Sequence, residues 1–351
     1  PLDVHGTPGP SRPGPLSRRR FLQATGATAT AVTAAGTPAS AAAPSRPLTL
    51  TLTATTGGSA TLSPAGDRLV AEVQNILWSL PRTGGTAVAL TAPGLEPTRP
   101  QFSPDGSRLV VCAYRGGGFH LWTLRPDGGD VRQLTHGPWD DRGPAWSPDG
   151  TRIAFASERG GDTVTGSPYR VWVVDVRTGA LTRLTGHQDP APAGAWEDFD
   201  PTWSADGERV LFVRAAVTAT GALRADTIAS VAADGSGPVT VEHTDDSGAQ
   251  LMTPAVSPGG RLAYLRTTPA PTASCTLVVD GTPVTVDADV LPAPPRWSDG
   301  RRLLLAVNGH FRLLDPEAAA AGERIPFTAA MPVQRPRYRV KSYDFEGAAT
   351  R

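Results

Sequence analysis

Arg99-Pro100-Gln101-Phe102-Ser103-Pro104-Asp105-Gly106-Ser107-Arg108-Leu109-Val110-Val111 reads as two short strands joined by a tight bend. An apolar residue leads into Ser-Pro-Asp-Gly, and a run of leucine and valine follows. Proline presets φ at the second turn position, aspartate closes the bend with its own carboxylate, and glycine takes the left-handed conformation. The flanking runs then pair antiparallel. The unit returns at Ser63-Pro64-Ala65-Gly66, Ser147-Pro148-Asp149-Gly150, Ser204-Ala205-Asp206-Gly207, Ser257-Pro258-Gly259-Gly260 and, one residue shorter, Ser298-Asp299-Gly300. The starts at 63, 103, 147, 204, 257 and 298 are separated by 40, 44, 57, 53 and 41 residues. A period of that size marks a propeller or another repeat array.

Each unit reads as four short strands. In the third, the spacing predicts strands over Gly143–Trp146, Arg152–Ser157, Tyr169–Val176 and Ala180–Leu184. The second predicts Arg108–Tyr114, Phe119–Leu124 and Val131–Leu134 around a Pro126-Asp127-Gly128-Gly129 turn. In the sixth, Pro295 to Phe327, strands are expected over Arg302–Val307 and His310–Leu314. Turn signals this dense, without helical periodicity, argue for an all-β fold. The expectation is a β-propeller of six blades, each with four antiparallel strands.

Two side-chain columns recur. The residue before the turn serine is Leu62, Phe102, Trp146, Trp203, Val256 or Trp297, and the third strand carries Trp78, Trp122 and Trp172. Stacked sheets need large apolar groups at equivalent places, so both columns are expected to pack blade against blade. The fourth unit lacks the third-strand tryptophan over Thr227–Val231. Insertions at Gly161–Pro168, Gln188–Glu197 and Ala215–Ala225 are expected as rim loops. Leu48 to Thr55 alternates apolar residues with threonine and predicts a strand, closing the last blade or leaving a seventh to begin in the tail after Val333.

The chain has 351 residues, with 33 Lys+Arg against 33 Asp+Glu and a net charge of zero. That balance does not suit a nucleic-acid partner. The 38 glycines and 35 prolines concentrate at the regular turns. Cys112 and Cys275 fall in the second and fifth units, opposite one another in a six-membered ring, so no disulfide is expected between them.

At the N-terminus, Ser17-Arg18-Arg19-Arg20-Phe21-Leu22 precedes an uncharged, Ala/Thr-rich run from Gln23 to Ala43. Ala39 and Ala41 suit signal-peptidase cleavage after Ala41. The segment resembles a twin-arginine export signal, which implies a periplasmic or extracellular protein with no membrane span after signal removal. The expected division is a signal and basic arm over 1–43, a propeller over 48–328, and an extension or linker over 329–351.

Catalytic chemistry is hard to find. His5, His120, His136, His187, His243 and His310 form no His-x-His pair and have no zinc-ligand spacing. There is no Gly-x-Ser-x-Gly nucleophile elbow and no phosphate-binding glycine loop. No cofactor, metal or complete active site is expected. One constellation stands out: acidic residues precede the first strand of several units, at Asp140 and Asp141, at Glu197, Asp198 and Asp200, and at Asp245 and Asp246. In a propeller that loop opens on the central channel, where these carboxylates would make a negative funnel for cations or amines. The alternative, favoured on the repetition of the turns, is that each aspartate accepts hydrogen bonds from turn N–H groups. Arg142 beside the first pair neutralises part of its charge.

Pro144-Ala145-Trp146-Ser147-Pro148-Asp149-Gly150-Thr151-Arg152-Ile153, then Val171-Trp172 and Thr182-Arg183-Leu184-Thr185, resemble the TolB-like propeller repeat. The resemblance covers about Leu48 to Thr328 and implies the fold. Ile325-Pro326-Phe327-Thr328, Arg335-Pro336, Tyr338-Arg339 and Asp344-Phe345 resemble the segment after the first propeller in secreted fusions of such repeats to a metal-dependent amidohydrolase. That implies a non-catalytic scaffold, gating substrate or binding a partner, as the N-terminal part of a larger enzyme whose hydrolase domain lies beyond Arg351. The alternative is a free-standing TolB-like adaptor with a protein or peptide partner.

Overall fold

The computed structural model describes residues 48–55, 58–161, 167–187, 196–218, 220–269, 273–286, 288–318 and 322–333. All of them are strand, turn or irregular chain, with no helix. The expected signal, most of the Gly161–Pro168 and Gln188–Glu197 insertions, and the tail after Val333 lie outside these residues.

The repeated bend forms as its chemistry dictates. In the second unit Gly106 N donates to Ser103 O (2.9 Å) and Ser103 N to Arg108 O (2.8 Å). Asp105 Oδ1 accepts from Ser107 N at 3.0 Å and from the Ser103 hydroxyl at 2.5 Å. Gly66, Gly106, Gly150, Gly207, Gly260 and Gly300 all have φ between 70° and 85°, where a Cβ is penalised.

The first strand, β1 (Leu48–Leu52), precedes the repeats. The first unit contains β2 (Ala60–Leu62), β3 (Arg68–Val73), β4 (Ile76–Pro81), β5 (Gly85–Thr86) and β6 (Val88–Ala89). The second is β7 (Pro97–Phe102), β8 (Leu109–Arg115), β9 (Gly118–Leu124) and β10 (Arg132–Gln133). The third is β11 (Asp141–Trp146), β12 (Arg152–Ser157), β13 (Arg170–Asp175) and β14 (Leu181–Arg183). The fourth is β15 (Trp196–Trp203), β16 (Arg209–Val217), β17 (Leu223–Ala232) and β18 (Thr240–Thr244). The fifth is β19 (Gln250–Val256), β20 (Leu262–Thr268), β21 (Ser274–Val279) and β22 (Thr282–Pro283). The sixth is β23 (Arg296–Trp297), β24 (Leu303–Val307), β25 (His310–Leu314) and β26 (Glu323–Arg324), and β27 (Phe327–Val333) follows.

Each unit forms one four-stranded antiparallel sheet, in sequence order apart from β5, which the first sheet skips. The first strands of successive sheets touch, from β2 through β7, β11, β15 and β19 to β23, and β23 touches β2 again. Apolar clusters fill the space between sheets: Phe102, Val111 and Trp122 with Val70 and Leu77, Trp146 and Phe155 with Val110 and Leu121. Leu304 and Phe311 of the sixth sheet pack with Leu69 and Trp78 of the first. The tryptophan columns therefore lie between sheets, as expected.

Two expectations are corrected. Ala215–Ala225 is not a loop. β16 continues to Val217 and β17 begins at Leu223, so the insertion lengthens a hairpin, with the β-branched and apolar ends of each strand still paired. Leu48–Leu52 does not close the sixth sheet, whose outer strand is its own β26. It pairs antiparallel with β27, from Leu48 opposite Val333 to Leu52 opposite Ala329. β27 in turn runs parallel to β5. The result is a separate three-stranded sheet, and β27 passes through the position 328 at which the propeller was expected to end.

Candidate functional site

In the second to fifth units, the residue before the proline of the first strand has a special place. Arg99, Gly143, Asp200 and Thr253 have φ of 53°, 62°, 51° and 48°. Each sits in a break of register between the first and second strands of its sheet: Thr98/Gln101, Arg142/Ala145, Phe199/Thr202 and Met252/Ala255. These are β-bulges, which turn a side chain out of the ladder. All four residues line one narrow cavity of about 20 Å³, together with Pro294 and Arg296 from the sixth sheet. That volume is about what one water molecule needs.

Arg99 of the second sheet forms a short ion pair with Asp200 Oδ1 of the fourth. Asp200 Oδ2 accepts from Thr253 N of the fifth at 3.2 Å. Arg296 completes the constriction, and burial together with the charge of Arg99 pulls its guanidinium pKa down to about 10. Two cations thus face one carboxylate. The Arg296 Nε and the Thr253 hydroxyl are buried without a hydrogen-bond partner.

The six sequence-selected aspartates fall into different environments. Asp200 is the one that lines the constriction among the described residues. Asp141 and Asp198 stand at equivalent positions in their first strands, five residues before Trp146 and Trp203, and are completely buried. Asp198 takes Arg214 bidentately, at 2.7 and 2.9 Å, directly across the β15–β16 ladder. Asp141 faces Ser157 in the same register and accepts its hydroxyl at 2.6 Å, with Arg159 reaching in at 3.0 and 2.6 Å. Burial pushes the Asp141 pKa up, but hydrogen bonds from His120, Arg159 and Ser157 outweigh it and hold the carboxyl below its ordinary value.

Asp140 accepts from Phe119 N (2.9 Å) and Arg142 Nη2 (3.0 Å). Asp245 bonds the backbone N of Ser247 at 2.8 Å, with Arg266 at 3.5 Å. Asp246 is exposed on the same turn. Turn and ion-pair contacts engage Asp140 and Asp245. Among the described residues, no three His, Cys, Asp or Glu side chains are grouped to hold a metal ion.

Arg99, Thr253 and Arg296 were not singled out from sequence. The signal was present as a column: Arg99-Pro100, Gly143-Pro144, Asp200-Pro201, Thr253-Pro254 and Pro294-Pro295 all stand at one place in the repeat. The residue types differ so much that the column does not look like a site until the sheets surround it.

This architecture is that of a β-propeller, and its turn chemistry resembles the TolB-like repeat. Residues 82–227 match the family model of the TolB beta propeller domain. Among solved structures, a protein of Agrobacterium tumefaciens assigned as TolB is 20% identical, with a TM-score of 0.51, covering 82% of this chain and 91% of its own. TolB from Acinetobacter baumannii is 18% identical with a TM-score of 0.47, covering 82% of this chain and 58% of its own. A puromycin-hydrolyzing peptidase of Mycobacterium tuberculosis is 16% identical with a TM-score of 0.50, covering 78% of this chain and 43% of its own. No curated protein matches the sequence.

Proposed function

We propose that the chain is a six-bladed, non-catalytic propeller scaffold, exported by the twin-arginine route, that holds a protein or peptide partner on its rim. The constriction carries the reading. Residues from five sheets converge on one cavity of about 20 Å³, room for about one water molecule rather than a substrate. The buried carboxylates beside it are engaged with arginines. What remains for recognition is the outer surface of the repeats, where propellers carry their binding loops. The contact of β23 with β2 supports closure at six blades.

We further propose that the propeller serves a larger amidohydrolase-like protein, on the strength of the Ile325–Phe345 resemblance. The same fold occupies 43% of a peptidase chain and 91% of a TolB-type chain, so the free-standing adaptor is the second reading. The experiment is recovery of the tagged mature protein from culture medium after crosslinking. A stoichiometric protein partner or a covalently continuous hydrolase domain is the expected result. Recovery of the propeller with neither overturns the scaffold reading. A continuous His-x-His-bearing domain decides between the two forms.

A further inference from the structure

Consecutive units of this propeller interlock in two ways, and both are absent at the fourth-to-fifth and sixth-to-first boundaries. Trp146, Trp203 and Trp297 each reach back one sheet. Their indole N–H groups donate to Gln101 O (3.3 Å), Ala145 O (3.0 Å) and Ala255 O (3.0 Å), in each case the carbonyl just before the preceding unit's equivalent residue. An arginine at the start of the preceding unit's second strand covers the ring in two cases, Arg152 at 4.7 Å over Trp203 and Arg261 at 5.5 Å over Trp297. The turns also nest. Pro64, Pro104 and Pro148 lie 3.3, 3.5 and 3.5 Å from where a Cβ would stand on Gly106, Gly150 and Gly207 of the next unit.

Between the fourth and fifth sheets both wedges are missing. Ala205 replaces the proline, and nothing lies within 4 Å of the corresponding point on Gly260, as also holds for Gly300 and Gly66. Val256 replaces the tryptophan and is only half-buried. Arg209, the counterpart of Arg152, has no ring to cover and turns to Ser230 Oγ (2.8 Å) and Thr240 Oγ1 (3.0 Å). A cavity of about 530 Å³ opens here, walled by Leu211, Leu262 and Val256, with Arg209 and Glu242 beside them. That is within the size range of small-ligand pockets. At the sixth-to-first boundary, where Leu62 stands in the same column, the side chain packs into the shared core instead.

We propose that this gap is a binding site for an indole ring, supplied as a free indole compound or as a tryptophan side chain of a partner. The repeat itself specifies the occupant. At three equivalent boundaries the space is filled by the chain's own indole, with a backbone carbonyl as acceptor. Here the carbonyl at the equivalent place is Thr202 O, two residues before Ser204 of the cavity wall, and Arg209 lines the cavity where it can cover the ring. The site is separate from the constriction, and its fate does not depend on the scaffold reading.

The test uses the mature full chain and 5-fluoroindole, followed by fluorine NMR titration. Saturable broadening is expected with the wild type. Val256→Trp fills the gap from within and should abolish it, with a raised melting temperature. Arg209→Met should weaken binding about five-fold, the loss of one cation–π contact, while the melting temperature stays near that of the wild type. The second variant keeps the test decisive should the first misfold. No broadening with wild type, equal broadening of fluorobenzene, or undiminished binding by folded Val256→Trp would each overturn the proposal. A tryptophan-centred peptide binding at least ten-fold tighter than 5-fluoroindole assigns the site to a partner's side chain, and equal affinity assigns it to the free compound.

Discussion

Trp203 shows how much one residue of the repeat carries. It is 4% exposed, donates its indole N–H to the neighbouring sheet, and lies against Val171, Val173 and Phe212. Truncation to alanine removes the packing and leaves a void between two sheets, so Trp203→Ala should cost about 3–5 kcal/mol in urea denaturation. A loss below about 1 kcal/mol would show that the sheets close over the gap. Asp141 makes a different kind of contribution. Asp141→Asn leaves Arg159 buried beside a neutral amide and should cost about 3–5 kcal/mol at neutral pH. The carboxyl titrates below its ordinary value in the folded chain. Its contribution is therefore complete above the unfolded pKa of about 3.9 and disappears as pH falls through the lower folded value. Stability measured from pH 6 to pH 2 should fall less steeply in Asp141→Asn than in the wild type. Parallel acid limbs would remove Asp141 from the account. The turn duty of the aspartates was legible in the sequence because Ser-Pro-Asp-Gly is a local motif. The arginine partners of Asp141 and Asp198 were not, because Arg214 meets Asp198 across the β15–β16 ladder and Arg159 reaches Asp141 from beyond the end of β12.

Among the elements, β1 and β27 belong together although they lie at opposite ends of the described chain. Leu50 is opposite Met331, and Ala329 is fully buried in the core shared by the sixth and first sheets. β27 is hydrogen-bonded on both sides, to β1 and to β5. Removal of residues 1–53 should therefore speed amide exchange over Phe327–Val333 and lower the melting temperature, since the sixth-to-first boundary loses its cover. Unchanged exchange there would mean that β5 alone holds the strand. The alternation of Leu48 to Leu52 announced a strand but not its partner, because a five-residue leucine–threonine pattern fits any free edge. The four bulges were also hidden. Register is a relation between two strands, and a residue before proline gives no hint that its neighbour will skip one place.

At the scale of the whole molecule, cooperative unfolding is expected because the four-stranded sheets of the described residues pack face to face against one another. Cys112 lies in the second sheet and Cys275 in the fifth, both as free thiols. Burial pushes their pKa values up to about 12 and about 11. Neither thiol should react readily with a disulfide reagent at pH 8 while the chain is folded. In a denaturant series both should become reactive in one transition, since no sheet keeps its core without the next. Two separated transitions would show that the units unfold piecemeal, as in an open array. What the sequence alone determined is the repeating unit: the bend, the four strands and the tryptophan columns are set by φ preferences and by alternation within some fifty residues. The tertiary structure decided what lies between units. It brought Arg99, Asp200 and Arg296 to one constriction, paired β1 with β27, and left a gap where Ala205 and Val256 replace proline and tryptophan. Those outcomes depend on distances between sheets, and no local conformational preference encodes a distance between residues so far apart in the chain.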